Sequence, residues 1–441
     1  MSAPVTVALA TLGCRLNQVE SQEMGALLAG RGFRVVEPGA NAQVYVINTC
    51  TVTGRADLSD RQLIRRITRE HPEAYLVVTG CYAQTDPEAA AAIAGVDLVV
   101  GNQEKYRLPE LLGSLTRRAR PAVAVADIGL AREVPLAPFV RVAGRSRGFV
   151  KIQDGCQHRC AFCIVPAARG RSRSQEFKVV LDQVRALVGA GYLDVTLTGV
   201  DIGHYGWDLY PRTTLAALLR ELAEVDGLRW LRLSSVLPSY FTPELIQAVT
   251  TLPVVAPHLH LPLQSGSDRV LRLMRRPYHT GMYRTLVGRL AAAIPELGLG
   301  ADVIVGHPGE TDADFEATLR FVEALPFTSL HVFSYSDRNG TEAARRLDHV
   351  TPAVIRERSG RLRRLGALKS LAFRRGLIGT PREAVVLESR DRRSGLLAGL
   401  TANYVEVLFD GPDTLGRRIV PLTITAADPD RTHAQLEVIG A

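Results

Sequence analysis

Long apolar runs are missing from this chain of 441 residues. No stretch approaches the ~20 uninterrupted apolar residues that a membrane-spanning helix needs, so no membrane partner is expected. A basic leader ahead of an apolar segment is missing too. The opening MSAPVTVALATLGC does not read as a secretory signal, and the expected location is the cytoplasm. Internal repeats and low-complexity tracts are absent, so the chain is not a repeat array. Acidic residues trail basic ones, 45 against 53, and the net charge of +8 permits a polyanionic partner such as RNA. Hydrophobic residues at 46% and charged residues at 22% are ordinary globular composition, enough for two or three domains.

Cysteine is scarce as well: Cys14, Cys50, Cys81, Cys156, Cys160 and Cys163. In a reducing compartment six thiols do not imply a disulfide framework. Their placement does imply a site. TVALATLG runs into Cys14, AQVYVINT into Cys50 and AYLVVTG into Cys81. Each run is short, apolar and β-branched, as in a strand buried on both faces. Helix-forming stretches at 19–31 and 58–70 lie between them, giving a β-α-β-α-β order and a parallel sheet. Right-handed crossovers bring the carboxyl ends of the three strands to one edge, where open α/β sheets bind ligands.

A Pro-, Ala- and Arg-rich stretch at 117–146 reads as a linker. Beyond it a second β/α series has expected strands at 149–153, 194–200, 230–236, 258–264, 301–306 and 329–336. Helices are expected at 177–190, with Ser174 as its N-cap candidate, and at 214–225, 311–325 and 355–375. Six β/α units suggest a partial, open barrel. From Leu377 onward, alternating runs at 383–387, 404–409, 419–424 and 434–438 read as a small all-β barrel. That tail has its own strand pattern and no cysteine, so it is expected to be dispensable for chemistry at the cysteines.

QDGCQHRCAFC places Cys156, Cys160 and Cys163 in a C-x3-C-x2-C loop after the first strand of the second series. A structural zinc site wants four ligands, and His158, inside the loop, could hardly close a tetrahedron. The ferredoxin pattern differs, with C-x2-C-x2-C and a remote fourth cysteine. Three thiolates on a 4Fe-4S cube leave one iron open, able to chelate S-adenosylmethionine and deliver the electron that splits its sulfonium bond. Other cation-bearing groups are Arg169, Arg171 and Arg173 after the loop, then Arg269, Arg272, Arg275 and Arg276, and the helix 356–375. The first three are candidate phosphate or substrate contacts.

The loop spacing, with Phe162 before the last cysteine, resembles the radical S-adenosylmethionine superfamily. GCRLNQVES, NTCTVT, TGCYAQ, VKIQDGCQHRCAFCIVPAARGRSRS, HLHLPLQSGSDRVL and IVGHPGETDADF together resemble the methylthiotransferases over essentially the whole chain. The resemblance implies an α/β fold in three parts. These are a flavodoxin-like parallel sheet (1–116), a partial (β/α)6 radical core (147–376, after a linker at 117–146) and a small TRAM-type all-β barrel (377–441) that contacts RNA. It implies two 4Fe-4S clusters, one on Cys14, Cys50 and Cys81 and one on Cys156, Cys160 and Cys163, the latter binding S-adenosylmethionine. Phe162, Thr198, Gly199, Ser234, Ser235 and Gln264 are then cofactor contacts, and 306–310 lines the same cavity. The implied reaction replaces a C–H bond by C–S–CH3, using one cofactor molecule for the methyl group and another for a 5′-deoxyadenosyl radical. Implied partners are a tRNA anticodon loop, an electron donor such as flavodoxin or ferredoxin, and a sulfur donor. TLGCRLNQVES and INTCTVT are most similar to the branch that acts on threonylcarbamoyladenosine at tRNA position 37; the alternatives are isopentenyladenosine and a ribosomal-protein aspartate. Readings from other classes are an iron–sulfur electron carrier or an RNA-binding protein with structural metal. The sequence departs from the family pattern at His307, Ser334 and Asn339, and His307 is expected to pack rather than act as a base.

Overall fold

A computed structural model describes residues 3–113, 115–135 and 145–437. These form two compact units. One comprises 3–113 and 115–135 together with 151–175 and 336–344; the other comprises 145–150, 176–335 and 345–437.

In the first unit the strands are β1 (Thr6–Thr11), β2 (Arg34–Val36), β3 (Val44–Thr49), β4 (Tyr75–Gly80), β5 (Leu98–Val100) and β6 (Ala122–Ala124). They make one sheet in the order β2-β1-β3-β4-β5-β6, every pairing parallel. The first five follow the flavodoxin-like order. Alternate residues of β3 enter different cores: Tyr45 and Ile47 pack with Leu76, Val78 and Val99, whereas Val44 and Val46 pack with Val7, Val77 and Val100. Both faces are covered, which is why the strands read as unbroken apolar runs.

Two expectations change here. Helix α1 spans Arg15–Gly30, four residues earlier than its apolar pattern, because Cys14 is the N-cap and the polar Asn17 and Glu20 are turned inward. The stretch expected as a linker contains β6, paired with β5, and the buried Ile128; residues 136–144 lie outside the described residues. Helix α2 (Gly54–Glu70) starts on a Thr53 side chain that accepts from the Ala56 amide. The short α3 (Cys81–Thr85), α4 (Pro87–Ala91) and α5 (Leu108–Leu111) follow.

The chain next enters β7 (Gly148–Lys151), which begins the second unit's sheet, and then a two-residue antiparallel pair of the first unit, β8 (Gln153–Asp154) with β9 (Arg173–Ser174). Between β8 and β9 lie the cysteine loop and α6 (Val165–Arg169). Ser174 is therefore a strand residue bonded across to Gln153, not the cap of α7 (Phe177–Gly189), whose N-cap is Glu176.

The second unit carries β7, β10 (Asp194–Thr198), β11 (Trp230–Leu233), β12 (His258–His260), β13 (Gly298–Val305) and β14 (Ser329–Ser334). They form two three-stranded sheets, β11-β10-β7 and β12-β13-β14, joined by a bridge between Leu231 and Val255. This is the expected open six-stranded barrel. Helices α8 (Leu215–Ala223), α9 (Pro243–Thr251), α10 (Asp268–Leu273), α11 (Thr280–Ala293) and α12 (Asp312–Ala324) alternate with the strands. Thr311 and Asp314 close a capping box on α12. The long α13 (Pro352–Gly376) packs Gly366 against Leu330 of β14. Leu299, Ala301, Val303 and Val305 are buried, while Asp302 and Ile304 on the alternate face are partly open. With α13 covering the first face, the second lines the lumen.

The tail closes into a barrel of β15 (Pro381–Val386), β16 (Leu397–Thr401), β17 (Glu406–Phe409), β18 (Ile419–Ala427) and β19 (Thr432–Leu436), in the order β15-β16-β17-β19-β18. Strand β16 was not expected. Its sequence LAGLT has Gly399 at mid-strand and all five residues buried, so no alternation marks it. Val438, the end of the expected last run, lies outside the described residues.

The tail is also not a free appendage of the barrel. Arg232 of β11, 1% exposed, bonds Asp194 of β10 at 2.7 Å and donates to the carbonyls of Thr401 and Ala402 at 2.9 and 2.8 Å. Tyr404, φ +71°, stacks on His258 at 4.2 Å. Trp230, His258 and Gly298 begin their strands, so this turn seals the strand-start end of the barrel.

Candidate iron–sulfur and cofactor sites

Cys14, Cys50 and Cys81 each stand at the carboxyl end of one of three adjacent strands, β1, β3 and β4. Glycine makes the approach possible. Gly13 has φ +92°, and a Cβ there would lie 2.5 Å from Cys50 Cβ; Gly80 has φ +97°, and a Cβ there would lie 2.4 Å from the Thr49 carbonyl. Cys14 caps α1, facing the positive end of its peptide dipoles. Burial pushes the Cys50 thiol up to about 12, with Cys81 and Cys14 adding to the rise, and burial raises Cys81 too. Cys14 is exposed and Cys50 and Cys81 are buried, with no disulfide among them; the two buried thiols need a cationic group to become thiolates. An iron–sulfur cube fits this donor set.

The second triad sits in the loop that β8 and β9 clasp. Gly155, φ +74°, leaves no room for a side chain: a Cβ would lie 2.0 Å from the Arg171 carbonyl. The Cys156 amide donates to the Gly170 carbonyl at 3.0 Å and the Cys163 amide to the Cys160 carbonyl at 3.1 Å. All three cysteines are half-buried and none is in a disulfide, which leaves them accessible to a cluster and to a ligand on its open iron.

Beneath the first triad lies a network that the sequence reading missed. Glu20, fully buried, meets Lys105 at 2.6 Å, Lys151 at 3.0 Å and Arg169 at 2.8 Å. Asp154 meets Lys151 and Arg169 at 3.1 Å each, with Arg173 at 3.8 Å. Burial alone would raise the Glu20 carboxyl, but Arg169, Lys105 and Lys151 together hold it well below the usual range. Asp154 is likewise held at about 2, against its burial, by Lys151 and Arg169. Asn17 Oδ1 accepts from Arg169 at 2.7 Å and from the Cys14 thiol at 3.8 Å. The network thus reaches the first triad through one atom. Its signal was present inside the motifs, since Asn17 and Glu20 belong to GCRLNQVES and Lys151 and Asp154 to VKIQDGC.

This arrangement corrects two of the substrate candidates. Arg169 and Arg173 are 2% and 3% exposed and spent on internal carboxylates, so they are not surface contacts for phosphate. Arg171 is exposed. Arg269 pairs with Asp314, and Arg358 of α13 is buried against Glu310 at 2.6 Å, whereas Arg356, Arg363, Arg364 and Arg375 face solvent.

In the second unit Thr198 ends β10 and Gly199 follows it; Ser234 and Ser235 follow β11. Gln264, φ +65°, bridges Val303 beyond β12 and donates its amide to the Asp302 carbonyl. All five occupy carboxyl ends of barrel strands. Phe162 is half-buried in the cysteine loop of the other unit. Of the 306–310 stretch, Glu310 is committed to Arg358 and the Gly306 amide, and His307 is fully buried with its ring against Tyr335. Neither lines an open cavity. The lumen face does carry His260, Asp302 and His331, with Asp302 Oδ1 3.0 Å from His260 Nε2 and 3.2 Å from His331 Nδ1. Burial opposes ionisation of Asp302, yet bonds from both histidines hold it well below the usual carboxylate range, and Asp302 raises His331. Among the described residues these three could also hold a metal ion.

Residues 6–101 match an uncharacterized protein family, UPF0004, and residues 150–322 match the radical SAM superfamily. The chain is 38% identical over 425 residues to the threonylcarbamoyladenosine tRNA methylthiotransferase MtaB of Bacillus subtilis, covering 96% of this chain and 94% of that one. It belongs to the radical S-adenosylmethionine methylthiotransferases. A second relative is a tRNA-2-methylthio-N(6)-dimethylallyladenosine synthase of Parafrankia, 37% identical over 96% of this chain and 90% of that one. Among solved structures, the radical S-adenosylmethionine methyltransferase TsrM of Kitasatospora setae shares the fold, with TM-score 0.59 and 18% identity over 77% of each chain. Membership carries with it one 4Fe-4S cluster and S-adenosylmethionine, and Cys156, Cys160 and Cys163 are the residues of this chain that fit that cluster. No helix among the described residues is long and apolar enough to cross a membrane.

Proposed function

We propose that this methylthiotransferase acts on tRNA, converting threonylcarbamoyladenosine at position 37 to its 2-methylthio derivative, in the cytoplasm and with reducing equivalents and sulfur from other proteins. What carries the reading is near-full-length similarity to relatives of that name from Bacillus subtilis and Aquifex aeolicus, at 38% and 37% identity. The lumen supports it to this extent: His260, Asp302 and His331 make a polar wall, unsuited to an isopentenyl chain. The second reading, dimethylallyladenosine as substrate, is favoured by the relatives of that name at similar identity.

Bound clusters would supply an electron for cofactor cleavage at Cys156, Cys160 and Cys163 and a sulfur site at Cys14, Cys50 and Cys81. The protein's own part is positional. The clasp at Gly155 and Gly170 fixes the loop, the glycines beside Cys50 and Thr49 bring three thiols to one edge, and Thr198, Gly199, Ser234, Ser235 and Gln264 at the barrel strand ends are the cofactor contacts on the second unit. Anaerobic reconstitution should give about eight irons per chain, and about four when Cys156, Cys160 and Cys163 are replaced by Ala together; unchanged iron in that variant would refute the two-site assignment. Mass spectrometry of tRNA nucleosides from cells with and without the gene decides the substrate. Loss of 2-methylthio-isopentenyladenosine, with the threonylcarbamoyl product retained, would favour the second reading.

A further inference from the structure

Three adjacent parallel strands each bring one donor to the lumen face: His260 on β12, Asp302 on β13 and His331 on β14. Register explains why they meet. His331 stands directly opposite Asp302, and His260 stands opposite Gly300, two residues earlier on β13. Residues two apart on a strand share a face, so His260 lies diagonal to Asp302 and reaches across Gly300 to meet it. Glycine leaves that path open, since a Cβ at Gly300 would lie 2.6 Å from His260 Nδ1. The two imidazole rings are 5.1 Å apart and tilted by 31°, and Phe333 meets the His331 ring edge-on. The donor spacing is that of ligands around one ion. His260 Nε2 and His331 Nδ1 lie 3.0 and 3.2 Å from Asp302 Oδ1, and the three ligand atoms all fall within 4.8 Å of one another. Donors about 2.0–2.2 Å from a zinc-like ion, at angles between about 90° and 109°, are themselves about 2.8–3.6 Å apart.

We propose that His260 Nε2, Asp302 Oδ1 and His331 Nδ1 ligate one divalent transition-metal ion, at a site built from none of the six cysteines and open towards the lumen. Two imidazoles with one carboxylate suit Zn2+, Fe2+ or Ni2+, and the set contains no thiolate of the kind that holds an iron–sulfur cluster. Three protein donors leave positions for water or for an oxygen-bearing ligand, as in zinc sites that keep a place for substrate. An entry path exists, because the His331 side chain is 61% exposed. The site does not depend on which adenosine the enzyme modifies.

The test dialyses the reconstituted full chain, its thiols held by iron, anaerobically against ZnCl2. Zn2+ binds nitrogen and oxygen donors more tightly than Mn2+ or Fe2+ does, so a site that uses any of these ions retains it. One Zn2+ per chain should remain. Its X-ray absorption fine structure should show nitrogen and oxygen neighbours at about 2.0–2.2 Å, with the scattering of imidazole rings and without sulfur at about 2.3 Å. His331→Ala removes a ligand that stands largely in solvent, and Asp302→Asn removes a charge at constant size. Each should weaken Zn2+ binding at least about tenfold, the loss that even an outer-shell partner's removal causes. Gly300→Ala keeps all three ligands but displaces the His260 ring, and it should weaken binding as well. Iron content, measured on the same samples, reports whether each variant has kept its fold. A cluster that serves only as a set of hydrogen bonds would retain no Zn2+. That result, a shell of sulfur neighbours alone, or equal affinity in the His331 and Asp302 variants would each overturn the proposal.

Discussion

Arg169 and Arg171 stand two positions apart and meet opposite environments, one sealed among carboxylates and the other in solvent. Arg169→Ala strands Glu20 and Asp154 and should cost about 3–5 kcal/mol in anaerobic urea unfolding. Arg171→Ala should stay within about 0.5 kcal/mol. His307 offers a pH test. Burial lowers its imidazole from 6.5 to about 4, so in that window the unfolded chain holds a proton that the folded chain refuses. Stability is full above about pH 6.5 and falls as pH drops towards 4, by about 3 kcal/mol at most. His307→Phe should flatten that fall, read from urea midpoints at pH 7.5 and 5. At this scale the cysteines were legible because spacing reports a shared ligand. Glu20, Lys105 and Asp154 were not, because nothing in a charged side chain's own neighbours in sequence tells whether a partner waits across the fold.

Apolar, β-branched runs bounded by turn residues announce strands, so β1, β3, β4 and the six barrel strands could be read directly. Strands β6 and β16 could not: one is three residues in a Pro- and Arg-rich stretch, the other is interrupted by Gly399. The clasp of β8 and β9 is shorter still, two residues a side, and is fixed by contacts on either side of the cysteine loop. Gly155→Ala tests it. A methyl 2.0 Å from the Arg171 carbonyl forces the clasp open, and the reconstituted variant should lose about four irons while the other triad keeps its cluster. Retention of the full iron content would show that the loop does not need its clasp.

Over the whole molecule, the three-part organisation followed from changes of sequence texture, but the ties among distant segments did not. Removing residues from Leu377 onward would strip the Thr401 and Ala402 carbonyls from the buried Arg232. The truncated chain should therefore show a destabilised barrel, with early loss of cooperative unfolding, besides any loss of RNA affinity. Arg232→Met in the full chain, leaving Asp194 unpaired, should cost about 3 kcal/mol; a truncation as stable as the full chain would contradict both expectations. Another tie sets a schedule. Arg338 pairs with Asp57, and the Gly54 amide donates to Ser336 at 2.9 Å. Chains emerge from the ribosome N-terminus first, yet the sheet that emerges first waits for residues beyond 335 before α2, and the Thr51 and Cys50 segment ahead of it, gain their last partners. A nascent chain stalled in the barrel would present three thiols on an unfinished scaffold, so metal loading of that sheet belongs after residues 336–338 have emerged rather than when the sheet itself is made.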